Sequence, residues 1–131
     1  MVKEITYKGK TLEELKKMSI ADFMKIATSR ARRTLKRGFT EQQKKFLLKI
    51  KKSKEGKLKK PIKTHCRDML IVPELIGHNI QVYNGKEFMP LQITQEMLGK
   101  YLGEFIMNRK KVEHSAPGIG ATKSSAAMSV K

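Results

Sequence analysis

The chain has 131 residues, with 29 Lys and Arg against 12 Asp and Glu, a formal charge of +17, one cysteine and no tryptophan. No run of eighteen apolar residues is present, so no membrane-spanning helix is expected. Lone Cys66 excludes an internal disulfide framework and a cysteine-rich zinc site. Met1-Val2-Lys3-Glu4 lacks the apolar core of a signal peptide. Length and composition predict one domain with extensions, in a reducing intracellular compartment.

The charge is lopsided. Residues 1–66 carry 21 basic and six acidic side chains, net +15; residues 67–131 carry eight and six, net +2. Between Arg30 and Lys63 there are 15 basic residues and two acids, Glu41 and Glu55. Such a segment repels itself and calls for a polyanion. Nucleic acid is the first candidate and an anionic membrane surface the second. The bland alternative is a solvated charged face.

In chain order, Thr11-Leu12-Glu13-Glu14 has the form of a capping box, followed by a short helix with Leu12, Leu15 and Met18 on one stripe. Ser19 and Asp22 signal a second start. From Ile20, apolar residues recur at Phe23, Met24, Ala27, Ala31 and Leu35, within an arc of about 120° on one helix. That helix is predicted to stop at Gly38. Arg30, Arg32, Arg33, Lys36 and Arg37 take its other faces. Thr40 and Gln43 form another capping box, opening a helix packed through Phe46, Leu47 and Ile50 and closed at Gly56. The pair around Gly38-Phe39 reads as an αα-hairpin.

Pro61 sets an extended entry for Ile62 to His65, a short strand or an approach to one. Met69-Leu70-Ile71-Val72 is an apolar run closed by Pro73 and is predicted as the third strand of a sheet over 69–93. Pro73 to Gly77 is one helical turn or a loop. Asn84-Gly85 between strand-like runs is a strong hairpin signal. A two-residue turn would pair Val82 with Glu87 and Ile80 with Met89, placing Ile80, Val82, Met89 and Leu91 on one face. Thr94 can open a short helix through Leu98. From Asn108 onward apolar density falls, and the stretch through Pro117-Gly118-Ile119-Gly120 and Ser124-Ser125 reads as a mobile or partner-ordered tail. The expected fold class is α+β: a small three-stranded sheet with an Asn-Gly hairpin, basic N-terminal helices and an extended C-terminal tail. The expected division is a basic helical extension over 1–59, a compact core over 60–107 and a tail over 108–131.

Several stretches resemble the universal small-subunit ribosomal protein S-nineteen family. They are Lys60-Pro61, Lys63-Thr64, Arg67-Asp68-Met69, Pro73-Glu74-Leu75-Ile76-Gly77, Asn84-Gly85-Lys86, Thr94, Glu96-Met97 and Leu102-Gly103-Glu104-Phe105. His114 to Thr122, together with Met18-Ser19 in a long N-terminal extension, resembles the archaeal and eukaryotic branch. Asn108 stands where many members carry Thr or Ser, and Lys123 where Arg or His is common; both keep polar or positive character. The resemblance implies a structural protein in the head of the small ribosomal subunit, in the cytoplasm. It would bind ribosomal RNA, sit beside ribosomal protein S-thirteen and send its tail toward the decoding-site tRNAs.

For phosphate contact the residue types favour Arg30, Arg33, Arg37, Lys59, Lys60, Lys63 and Arg67, since forked guanidinium groups suit phosphate oxygens. Each is alternatively a solvated surface charge. Thr64, His65 and Asn84 could read 2′-hydroxyls or base edges, with Lys86 beside them at the hairpin. Tyr83 and Phe88 could stack bases, although such aromatics more often pack. Arg109, Lys110, Lys111 and Lys123 would attract the tail to RNA. No cofactor, metal or homo-oligomer is expected. Cys66 beside His65 does not make a nucleophile–base pair, because neighbours in an extended chain point to opposite faces. A DNA-binding regulator using a helix-turn-helix-like pair near 20–53 is the alternative.

Overall fold

A computed structural model describes residues 3–113. Four helices lead: α1 (Leu12–Lys17), α2 (Ile20–Ile26), α3 (Ser29–Arg37) and α4 (Glu41–Lys54). Three short strands follow: β1 (Ile62–Thr64), β2 (Asn79–Tyr83) and β3 (Phe88–Gln92). Single 3-10 turns occur at Pro73–Leu75, Gln95–Met97 and Leu102–Glu104.

The start signals work as read. The Thr11 backbone N–H donates to the Glu14 carboxylate at 3.0 Å. Ser19 Oγ accepts from Asp22 N at 3.2 Å, and Thr40 and Gln43 bond reciprocally at 3.1 and 3.4 Å. Each satisfies amides that the first helical turn cannot. Of the first helix's stripe, Leu15 is buried and Met18 half-buried, but Leu12 stays 40% exposed.

The expected single helix from Ile20 to Arg37 is instead two. Ala27 and Thr28 are extended, with ψ of 158° and 162°, and Thr28 is the N-cap residue of α3. The apolar spacing of four residues drifts about 40° per step around a continuous helix. Breaking the helix lets Phe23, Ala27, Ala31 and Leu35 all reach the interior. Arg32 Nη2 donates to the carbonyl of Ala27 at 3.0 Å, covering a group the break exposes.

The sheet order is β1-β2-β3, with β1 parallel to β2 and β2 antiparallel to β3. Its third strand is therefore Ile62–Thr64, not Met69–Val72. The latter run is fully buried, yet it pairs with the 99–102 segment. Ile71 N donates to Lys100 O at 2.8 Å, Gly99 N to Ile71 O at 3.1 Å and Leu102 N to Met69 O at 3.1 Å. A short continuous apolar run signals burial without naming its partner.

The hairpin register also differs. Tyr83 faces Phe88, Val82 faces Met89 and Ile80 faces Leu91, two residues on from the two-residue-turn register. Among the described residues Asn84 has no positive φ, and Gly85 does, at 101°. Asn84 is the first residue of a four-residue turn, its Oδ1 accepting from Lys86 N and Glu87 N at 2.9 and 2.8 Å. A slip of two leaves every side chain on its expected face, so Ile80 and Val82 still point into the core. The bonds Asn84 N to Glu87 O and Ile93 N to His78 O bracket the ladder. Alternation between them puts the position lacking an N–H, Pro90, toward the open edge, where it blunts further pairing.

One apolar cluster runs from Leu15 through Phe23, Phe46, Ile50, Ile62, Met69 to Val72, Ile80, Val82 and Leu102 to Ile106. α4 packs on β1, and α1 on the Pro73–Leu75 turn. Residues before and after position 59 therefore share a single core. No helix among the described residues is long and apolar enough to cross a membrane.

Candidate nucleic-acid interface

The interface begins with α3. Arg30, Arg33 and Arg37 stand at i, i+3 and i+7, so they share a face. With Thr34 between them they line a cavity of about 200 Å³. A cleft of about 420 Å³ adjoins it, sharing Arg30, Thr34 and Arg37 and walled by Gly38, Thr40, Gln43, Asp68 and Tyr101. Gly38, with φ of 82°, ends α3, and α4 then packs on β1 rather than along α3, so the expected αα-hairpin is not formed as a packed pair. The Thr34 and Tyr101 hydroxyls lie 2.8 Å apart and tie α3 to the core. Gln43 is buried, and its Nε2 donates to the Asp68 carbonyl at 3.4 Å.

None of the three arginines has an acidic partner among the described residues. The ion pairs found there are Lys25–Asp22 at 3.3 Å and Lys57–Glu55 at 2.7 Å, both exposed. The excess positive charge of α3 and α4 is thus not neutralised by ion pairs among the described residues. Arg32, by contrast, is turned back to its own chain.

The second part is the outer face of the sheet. Alternation sends Ile62 and Thr64 inward and Lys63 outward, and His65 continues the outward row. The His65 ring lies 4.5 Å from Tyr83 and 5.1 Å from Phe88, and Tyr83 and Phe88 are 5.2 Å apart, centroid to centroid. Lys63 Nζ sits 5.3 Å from the Phe88 centroid, within cation–π reach. The Tyr83 hydroxyl donates to Gly85 O at 3.0 Å, fixing the ring beside the hairpin. Three part-exposed rings, tilted 52–73° to one another, and one cation gather on this face of the sheet. Tyr83 and Phe88 thus pack against each other while staying only part-buried.

Three of the expected contact residues have internal work instead. Arg67 donates from Nη1 to Tyr83 O at 2.9 Å, and from Nη2 to Gly103 O and Ile106 O at 2.8 and 2.7 Å. Its guanidinium ties the hairpin to the 103–106 segment. A Cβ at Gly103 would lie 3.0 Å from both the Arg67 Cβ and its carbonyl oxygen, so glycine there lets the two segments close. Thr64 is 6% exposed, and its Oγ1 accepts from Cys66 N at 3.0 Å. The side-chain oxygen of Asn84 holds its own turn.

Lys59 and Lys60 are exposed on the approach to β1, Lys86 is exposed in the hairpin turn, and Arg109, Lys110 and Lys111 are exposed beyond the core. Lys123 and the His114–Thr122 stretch lie outside the described residues. Thr34 was within reach of a helical wheel, being four residues from Arg30 and three from Arg37. Tyr101, Gln43 and Asp68 were not, because only the tertiary fold brings them to α3. No group of three or more His, Cys, Asp or Glu among the described residues could hold a metal ion.

Comparison with known proteins adds two findings. A family model described as Ribosomal protein S19 matches residues 33–114. The Small ribosomal subunit protein uS19 of Saccharolobus solfataricus is 50% identical over 130 residues, covering 98% of this chain and 93% of that protein.

Proposed function

The chain belongs to the ribosomal protein S19 family, and from that premise we propose that it is a structural constituent of the small ribosomal subunit, binding ribosomal RNA in the subunit head of the cytoplasmic ribosome. The observation that carries the RNA-binding part is the shared cavity of Arg30, Arg33 and Arg37, with no carboxylate paired to any of them among the described residues. Folded RNA crowds phosphates together, and cations that displace condensed counterions relieve that repulsion. The phosphate-contacting set is Arg30, Arg33, Arg37, Lys59, Lys60, Lys63 and Lys86. Arg109, Lys110, Lys111 and Lys123 guide the tail. His65, Tyr83 and Phe88 offer their rings to exposed bases. Ribosomal protein S-thirteen is the neighbour in this reading, and the tail approaches the decoding-site tRNAs. The role is one of scaffolding, not catalysis.

The DNA-regulator alternative needs a protruding recognition helix. The arginine face of α3 is instead walled by Tyr101 and Asp68, which suits a folded strand better than a duplex groove. The test is competition: the full chain, bound to the head-domain fragment of small-subunit ribosomal RNA at physiological salt, is challenged with duplex DNA of equal length. RNA binding that survives a hundredfold excess of DNA supports the reading. Equal competition contradicts it and leaves a non-specific polycation.

A further inference from the structure

The cleft beside the arginine cavity holds more chemistry than a phosphate needs. Its far wall is Tyr101, half-buried, with its hydroxyl fixed on Thr34. Asp68 lines the cleft too, at an exposed position. Gln43 holds Asp68 by the backbone carbonyl alone, and the Asp68 carboxylate has no hydrogen-bond or ion-pair partner among the described residues. Asp68 is exposed, so its carboxylate is free to accept from a ligand, and a carboxylate does not hold phosphate, because like charges repel.

We propose that the joined cavities form a subsite for one unstacked guanosine of the bound RNA, its phosphate on Arg30, Arg33 and Arg37, its ring against Tyr101 and its Watson–Crick edge on the Asp68 carboxylate. The choice of base follows from donor patterns. An ionised carboxylate only accepts, and it has two oxygens. Guanine presents two adjacent donors, N1–H and the N2 amino group. Adenine and cytosine present one amino donor beside a ring-nitrogen acceptor, and uracil one N–H between two carbonyls. Guanine alone satisfies both oxygens and sets no lone pair against them. Unstacked bases in RNA loops and bulges are bound in this manner, by a ring face and a Watson–Crick edge. The inference rests on the RNA-binding reading above and adds a base preference to it.

The test uses the full chain and labelled uridine heptamers carrying a central guanosine, adenosine or cytidine, titrated by fluorescence anisotropy. The guanosine heptamer is expected to bind about tenfold tighter than the adenosine one, within the discrimination of a good bidentate base contact. Asp68→Asn should reduce the guanosine-to-adenosine ratio at least fivefold. That ratio is the readout, since removing a negative charge can raise affinity for every RNA alike. Asp68 is exposed, so the variant should fold. Arg33→Gln should weaken all heptamers together and leave the ratio intact. Equal, salt-dependent binding of the three heptamers would overturn the guanosine subsite and leave the RNA reading standing. A ratio that survives Asp68→Asn would also overturn it. No salt-dependent binding to any of them would overturn the subsite, while the competition on the head-domain fragment decides the RNA reading separately.

Discussion

Arg67 shows how a single residue can mislead a charge-based reading. It sits among cations and in a family motif, yet its guanidinium bonds three carbonyls from two segments. Arg67→Met should leave those carbonyls short of donors and cost about 3 kcal/mol of stability, measured by urea unfolding. Its salt dependence of RNA binding should be that of the unaltered chain once folded protein is compared. His78 makes a pH prediction. Burial, then the positive charges of Lys54 and Lys16, hold its pKa below the ordinary 6.5. The unfolded chain therefore takes up this proton at higher pH than the folded one. Its contribution is fully present above 6.5 and is lost as pH falls through the lowered native value. His78 is only half-buried, so the effect is small. Thermal melts at pH 7.5 and 5.5 should show a drop that His78→Gln lessens; an identical drop in the variant would exclude this origin.

Elements announced by local chemistry were legible in the sequence. Three helix starts were readable because the side chain that caps a first turn lies within three residues of the amide it serves. Ser19→Ala and Thr40→Ala should each cost about 1 kcal/mol in chemical unfolding. Elements decided by distant partners were not legible. Met69–Val72 announces burial, but only the fold reveals that its partner is the 99–102 segment. The break at Ala27-Thr28 hides in a stripe that a continuous helix also satisfies to within about 120°. At the hairpin, Asn84-Gly85 marked the turn correctly, while the Asn84 side chain selected a wider one. The facing of Ile80, Val82 and Leu91 survived, because a slip of two preserves strand alternation. In the interface, Arg30, Arg33 and Arg37 could be grouped by helical spacing. Arg67 could not be separated from them without the three carbonyls it meets.

At the scale of the molecule, charge and core are divided between the same elements. α3 and α4 supply buried Ala31, Leu35, Phe46, Leu47 and Ile50 on one side and the densest positive charge on the other. Deleting residues 1–59 would remove much of the shared cluster, so the electrostatic role of the extension is better tested by exposed point changes. The central claim is that the α3 arginines grip RNA phosphate. The most direct measurement is affinity for the head-domain ribosomal RNA fragment across a salt series, comparing the full chain with an Arg30→Gln, Arg33→Gln, Arg37→Gln triple variant. All three side chains are exposed, so folding should persist, as circular dichroism will show. Each phosphate released removes about 0.7–0.9 from the slope of log affinity against log salt, so the variant's slope should be shallower by about 2 to 3. An unchanged slope in a folded variant would contradict the account and move the grip to other cations.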